Sequence, residues 1–132
     1  MILIINTCLE KQTELILVDK SNKIKIKKIQ GSFNQSEKLL PAINSLIKNV
    51  NQLKGVGVVV GPGGFTTVRV GVAIANALAY ALKIPVIGLR KNQFNNNDDL
   101  IVKILQLYKN KIAKPGQFVL PYYDKEPNIG FN

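Results

Sequence analysis

The chain has 132 residues, 46% of them apolar, with 18 Lys and Arg against 8 Asp and Glu, no His, no Trp and one Cys, for a formal charge of +10. That is the length of one domain, enough for a single core that buries about two thirds of the unfolded chain's surface. Without His, the chain lacks the imidazole that Ser-His-Asp and Cys-His hydrolysis, histidine general bases and the common His-containing zinc sites require. The lone Cys8 can close no intramolecular disulfide and build no thiolate cage, which excludes a disulfide scaffold or an iron–sulfur protein and points to a reducing compartment.

Ile2 to Ile5 is a continuous apolar run bounded by Asn6 and Thr7, the pattern of a strand buried on both faces and therefore central. Leu15 to Asp19 reads as a second strand, residues 20–23 as a polar turn, and Ile24-Lys25-Ile26-Lys27 as a period-two strand completing a hairpin with one wet face. From Ser36, a candidate cap, apolar residues recur at helical spacing to Val50, with Pro41 expected to kink the helix or limit its first turns. Gly55 to Val60 is another strand buried on both faces, Thr66 to Lys83 a second helix, and Pro85 to Gly88 a short strand. The order β-β-β-α-β-α-β predicts an α/β fold with a mixed five-stranded sheet and flanking helices. Beyond Leu89 come a polar loop, a short helix from Asp99 to Tyr108 capped by Asp98, a candidate strand Phe118 to Leu120, and an irregular tail containing Pro121, Pro127 and Gly130.

The charge divides evenly, +5 in residues 1–66 and +5 in residues 67–132, and 16 of the 18 cations are Lys, with Arg only at positions 69 and 90. Base and phosphate forks are usually arginine work, so the cations read mainly as solvated positions. Only Lys20 to Lys28, with five Lys, is a local concentration. Its simplest reading is protection of a hairpin edge, and a contact with RNA is the functional alternative. The longest nearly pure apolar stretch, Val70 to Leu82, is 13 residues, short of the roughly 18–20 that span a bilayer, and the N-terminus has no basic region ahead of its apolar run. A cytoplasmic protein is expected.

The segment Gly61-Pro62-Gly63-Gly64-Phe65-Thr66-Thr67-Val68-Arg69-Val70-Gly71 joins a buried strand to a helix. Its glycines can expose consecutive N–H groups to an anion at the helix N-terminus, or simply make a tight turn that Thr66 or Thr67 caps. The usual phosphate fingerprints are not met, because no Lys follows the glycines and Thr66 stands where a third Gly would belong. The helix behind it carries small residues on two ridges, 71/75/79 and 73/77/81. Its large ridge, Val70, Ile74, Leu78 and Leu82, is expected to face the sheet, and its polar residues are confined to Arg69, Asn76, Tyr80 and Lys83. So bare a helix needs a cover, supplied either by the first helix and the tail or by another protein.

These residues resemble the G-P-G-S-F-T-G-x-R-x-G signature of the TsaB (YeaZ) family, the non-catalytic partners of the tRNA threonylcarbamoyltransferase TsaD. Gln35-Ser36-Glu37-Lys38-Leu39-Leu40-Pro41-Ala42-Ile43 is similar to that family's H-S-E-x-L-L-P-x-I helix start, Ile84 to Gly88 to its following strand, and Leu120-Pro121-Tyr122-Tyr123 loosely to its closing P-x-Y-x-R segment. The resemblance implies an RNase H-like lobe of the actin/Hsp70 superfamily over residues 1–89, with 90–132 a linker, short helix and tail packing on it as a reduced remnant of a second lobe. It further implies a scaffold that joins TsaD through the two helices, with TsaE in the larger assembly, for threonylcarbamoyl transfer to adenosine 37 of tRNA. The implied contacts are Leu39, Leu40, Ile43, Ile47, Val72, Ala73, Ala77 and Tyr80, and the signature loop is Gly61, Pro62, Gly63, Gly64, Phe65, Thr66, Arg69 and Gly71.

Departures from the pattern bear on chemistry. The family's opening I-D-T-S is Ile5-Asn6-Thr7-Cys8 here, so the carboxylate that relatives use near Mg²⁺ is an amide, a poor anchor for a hard cation. His is replaced by Gln35, Ser by Gly64 and Gly by Thr67, leaving no nucleophile in the loop. Members of the family are about twice this long, with two lobes between which relatives bind nucleotides. No catalysis, cofactor or metal is therefore expected. The alternatives are a homodimer through the same two helices, a nucleotide-binding module at the glycine loop, and a TsaD-like transferase or glycoprotease-type hydrolase, whose paired metal-binding histidines this chain lacks.

Overall fold

The all-apolar strands are buried on both sides because both faces of the sheet are covered. In a computed structural model of the protein, which describes residues 1–31 and 35–123 and leaves out the side chains of Gln35 and Ser36, the elements are β1 (Ile2–Asn6), β2 (Gln12–Val18), β3 (Ile24–Gln30), α1 (Gln35–Leu46), β4 (Gly55–Gly61), α2 (Phe65–Leu82), β5 (Val86–Arg90) and α3 (Asn97–Lys109). The sheet order is β3-β2-β1-β4-β5, with β1 at the centre, antiparallel to β2 and parallel to β4. The expected element order and mixed sheet are both present. The Ser36 cap and the tail beyond Tyr123 fall outside the described side chains and residues.

Register assigns the two faces. Leu3, Ile5, Leu15, Leu17, Val56 and Val58 point toward α1 and α2, whereas Ile2, Ile4, Ile16, Gly55 and Gly57 point toward α3. A Cβ on Gly57 would lie 3.0 Å from two atoms of Ile104, so the absence of a side chain there seats α3 on β4. Leu100, Ile101 and Ile104 complete the core from that side, each contributing about 1.5–3 kcal/mol by burial. Residues after Leu89 thus share one core with those before it.

Several local expectations are corrected. Both faces of β3 are wet over its first half: Ile24 and Ile26 are 46% and 47% exposed, because the strand lies at the sheet edge away from β4, over which α3 sits. α1 runs through Pro41 and ends at Leu46, short of Val50, where Asn49 caps a short turn by accepting from the Asn51 N–H at 3.1 Å. α3 starts at Asn97, capped by Asn96 rather than Asp98. α2 spans 18 residues with mean hydropathy 1.4, so by length and composition it is long and apolar enough to cross a bilayer, contrary to the shorter run read from the sequence. Its inner face is nevertheless fixed to β4.

The seating of α2 also reverses an expectation. Its buried residues are Val68, Gly71, Val72, Ala75 and Ala79, so the small ridge 71/75/79 faces the sheet and the large ridge is half-buried at the flank. A Cβ on Gly71 would come within 2.5 Å of Thr7 Oγ1 and 2.8 Å of its Cγ2. Replacing Gly71 by Ala should therefore cost about 1–3 kcal/mol, read from the urea midpoint. The double variant Thr7→Ala/Gly71→Ala should recover most of that loss, and an equally destabilised double variant would mean that the contact with Thr7 is not the cause.

Candidate functional site

The signature loop is a crossing point of three backbones. Gly61 ends β4 at φ +129°, where L side chains are strained, and a Cβ there would strike the Tyr122 carbonyl. The Tyr122 N–H donates to the Val60 carbonyl at 2.7 Å, tying the C-terminal segment to the bulged end of β4. A Cβ on Gly63 would come within 3.0 Å of both Cys8 Cα and Val68 Cγ2. The glycines thus serve close approach. Gly64, not a threonine, occupies the helix cap, and the Thr67 hydroxyl donates to the Gly64 carbonyl at 3.2 Å, while Thr66 is exposed. The peptide between Gly61 and Pro62 is cis.

Both arginines of the chain hold aromatic rings in this region. Arg69 lies 4.9 Å over Phe65, which stacks on Tyr123 at 5.4 Å and 23°, and Arg90 lies 4.8 Å over Tyr122. Phe65, backed by Arg69, therefore connects the signature to the C-terminal segment, each cation–π contact contributing about 0.5–1 kcal/mol. The expected strand at Phe118 to Leu120 is not part of the sheet. Its backbone is instead held by a side chain: Asn76 Nδ2 donates to the Val119 carbonyl at 2.9 Å, and Asn76 Oδ1 accepts from the Val119 N–H at 3.0 Å. An amide carries one donor edge and one acceptor edge, so it imitates a neighbouring strand.

At the end of β1, Asn6 is buried and its Oδ1 accepts from the Cys8 N–H at 3.0 Å, so the amide that replaces the usual carboxylate closes its own turn. Across the ladder, the buried Glu14 accepts from Asn97 Nδ2 at 2.9 Å and Gln12 Nε2 at 3.2 Å. Sequence reasoning missed Glu14, Asn97 and the Asn76 clip; only Asn76, a lone polar residue within an apolar run, carried a signal that could have found it. The Cys8 thiol donates to the Val59 carbonyl at 3.4 Å, and burial pushes its pKa up to about 11. A cleft of about 260 Å³ beside the loop is lined by Thr7, Glu10, Lys11, Gly64 and Thr67, among others. Among the described residues, no three His, Cys, Asp or Glu side chains group to hold a metal.

The helical surface divides the sequence-derived contact residues. Leu39, Ile43, Ile47 and Val72 are 0–2% exposed and belong to the core, so they offer no surface, because their ridges are the ones that meet the sheet. Leu40, Ala73, Ala77 and Tyr80 are exposed, Tyr80 at 80%. With half-buried Val70 and Ile74, the two alanines make an apolar outward face on α2. α1 packs beside this helix and the C-terminal segment clips its flank, yet among the described residues neither covers that face.

Solved structures share this architecture. YeaZ from Pseudomonas aeruginosa superposes with a TM-score of 0.61 at 22% identity, covering 67% of this chain and 44% of that one. A protein described as uncharacterized, with similarity to peptidase YEAZ from Pseudomonas aeruginosa, gives 0.63 at 21%, covering 85% and 49%. The molecule is thus an RNase H-like lobe of the actin-like type. The family model described as TsaD, tRNA N6-adenosine threonylcarbamoyltransferase, matches residues 25–97. Proteins described as tRNA threonylcarbamoyladenosine biosynthesis protein TsaB are 39% identical over 57 residues in Bacillus subtilis, 40% of this chain and 25% of that protein, and 39% identical over 56 residues in Haemophilus influenzae, 39% and 24%. The chain belongs to the TsaD family, as a member of its TsaB (YeaZ) branch. The match spans about a quarter of the length of these curated relatives.

Two outcomes test the site. Asn76→Ala should free the segment around Val119, raising its amide exchange and costing about 1–2 kcal/mol, and unchanged protection there would show that the clip is dispensable. Because the native state keeps Cys8 protonated while the unfolded thiol ionises near pH 9.0, the contribution of Cys8 is complete below pH 9 and falls away between pH 9 and 11. Thiol labelling at neutral pH should accordingly be slow until urea unfolds the protein, and rapid labelling of the native state would contradict a buried thiol.

Proposed function

We propose that this chain is a non-catalytic scaffold in tRNA threonylcarbamoyladenosine biosynthesis, docking a TsaD-type transferase on the outward face of α2 and the exposed edge of α1. The observation that carries the reading is the uncovered apolar stripe of Ala73 and Ala77, flanked by Val70, Ile74 and Tyr80. Small residues on such a stripe let a second helix approach closely, as ridge-into-groove packing requires. Leu40 on α1 extends the surface. In this reading a TsaE-type ATPase joins the larger assembly, tRNA is modified by the transferase and so is an indirect partner in the chemistry, and the work is done in the cytoplasm. The chemistry of the residues supports a non-catalytic role: the chain has no histidine, its one thiol is buried and protonated, and Asn6 stands where a metal-binding carboxylate would be needed.

Mixing the chain with the TsaD-type subunit of its own organism at micromolar concentration should give a complex by size exclusion. Ala73→Arg and Ala77→Arg each place a charge in the contact and should weaken capture at least a hundred-fold, about 2.8 kcal/mol. Absence of a complex with the unmodified chain would sink the reading. A homodimer of the chain that Ala73→Arg converts to a monomer, with no transferase bound, would instead assign the same face to self-association.

A further inference from the structure

At the end of the sheet opposite the glycine loop, two clefts of about 380 and 470 Å³ meet at Met1, Asp19 and Gln52. Lys20, Lys23, Lys25, Lys48 and Lys54 stand around them, all exposed, and Asp19 is the one acid in the lining. That carboxylate is already engaged: its Oδ1 accepts from the Ser21 N–H at 2.8 Å and the Lys23 N–H at 2.9 Å, closing the β2–β3 turn. Five like charges at one rim against the single carboxylate of Asp19 set up a net positive potential that an anion relieves.

The spacing and residue types narrow the anion. Lys25 and Lys27 are two residues apart on β3, so they share a face about 6.8 Å apart, comparable to successive phosphates along a nucleic-acid strand, and Lys23 stands just before the strand. Lys27 is held in place by its Nζ donating to Ser45 Oγ at 2.6 Å. Lysine meets phosphates as a mobile point charge and carries no planar fork for bases. The floor of the larger cleft is Leu17, Leu46 and Ile47, and no aromatic ring in either lining offers a stacking platform.

We propose that this groove binds the phosphodiester backbone of RNA without reading its sequence. That the polyanion is RNA rather than an acidic peptide rests on the function proposed above; the groove and its charge do not. Labelled tRNA should bind the full chain at 50 mM KCl and lose about a hundred-fold or more in affinity by 200 mM, as expected if about five phosphates are neutralised. Lys25→Glu/Lys48→Glu should weaken binding at least ten-fold and flatten the salt slope by about two. Lys25→Gln/Lys48→Gln should do so to a smaller extent, with no charge reversal to disturb folding. Lys11→Glu/Lys91→Glu, which alters net charge equally at the other end of the sheet, should have less effect on the slope. Equal losses in the groove and control variants, no tRNA binding at 50 mM KCl, or tighter binding of polyglutamate than of tRNA would each overturn the proposal. Since the groove variants leave Ala73 and Ala77 intact, transferase capture is measured separately, and failure of RNA binding is distinguishable from failure of the docking reading.

Discussion

The close seating of α2 on the sheet is the contact on which the rest of the molecule depends. Gly71, Ala75 and Ala79 bring the helix backbone down onto the strands, with Gly71 against Thr7 at the end of β1. At that distance Val68 and Val72 reach the core, while the larger Val70 and Ile74 are turned to the flank and surface. A wider seating would bury those larger residues and leave a polar or neutral exterior. The close one leaves an apolar exterior, so the exposed stripe follows from the same geometry that packs the core.

Charge is used unevenly. Lys103 and Asp99, at 3.2 Å, form the one ion pair among the described residues, and an exposed pair on a single helix contributes little. The two arginines are spent on aromatic rings near the signature loop, and the acids with clear partners, Glu14 and Asp19, are occupied by amides and by a turn. The lysines at the opposite end stand exposed around clefts whose one acid is Asp19. The two ends of one small sheet carry different chemistry: glycine-rich and aromatic at one, with its arginines laid on rings, and lysine-rich at the other.

The strands and the central place of β1 were legible because runs such as Ile2 to Ile5 and Val56 to Val60 contain no polar residue and can only be buried on both sides. The helices were legible in position but not in rotation. Large residues usually turn inward, as Leu39, Ile43 and Ile47 do on and just after α1, and nothing in the sequence of α2 announces that a close approach selects the glycine and alanine ridge there; with Val72, half of the contact residues inferred for the site fall in the core. The cap of α3 shifted because Asn95-Asn96-Asn97-Asp98-Asp99 offers several equivalent capping residues. The role of Asn76 was hidden because its partner, Val119, lies 43 residues away and is joined through a side chain rather than through a ladder.

That amide has a mechanical meaning. Both of its hydrogen bonds lie along one edge of α2, so rotating the helix about its axis by even a fraction of a turn would break them together and release the segment that also leans on Val60. The helix is thereby locked in azimuth. The orientation of its outward face is set during folding, so under the docking proposed above the entropy of fixing it would not be lost again on association.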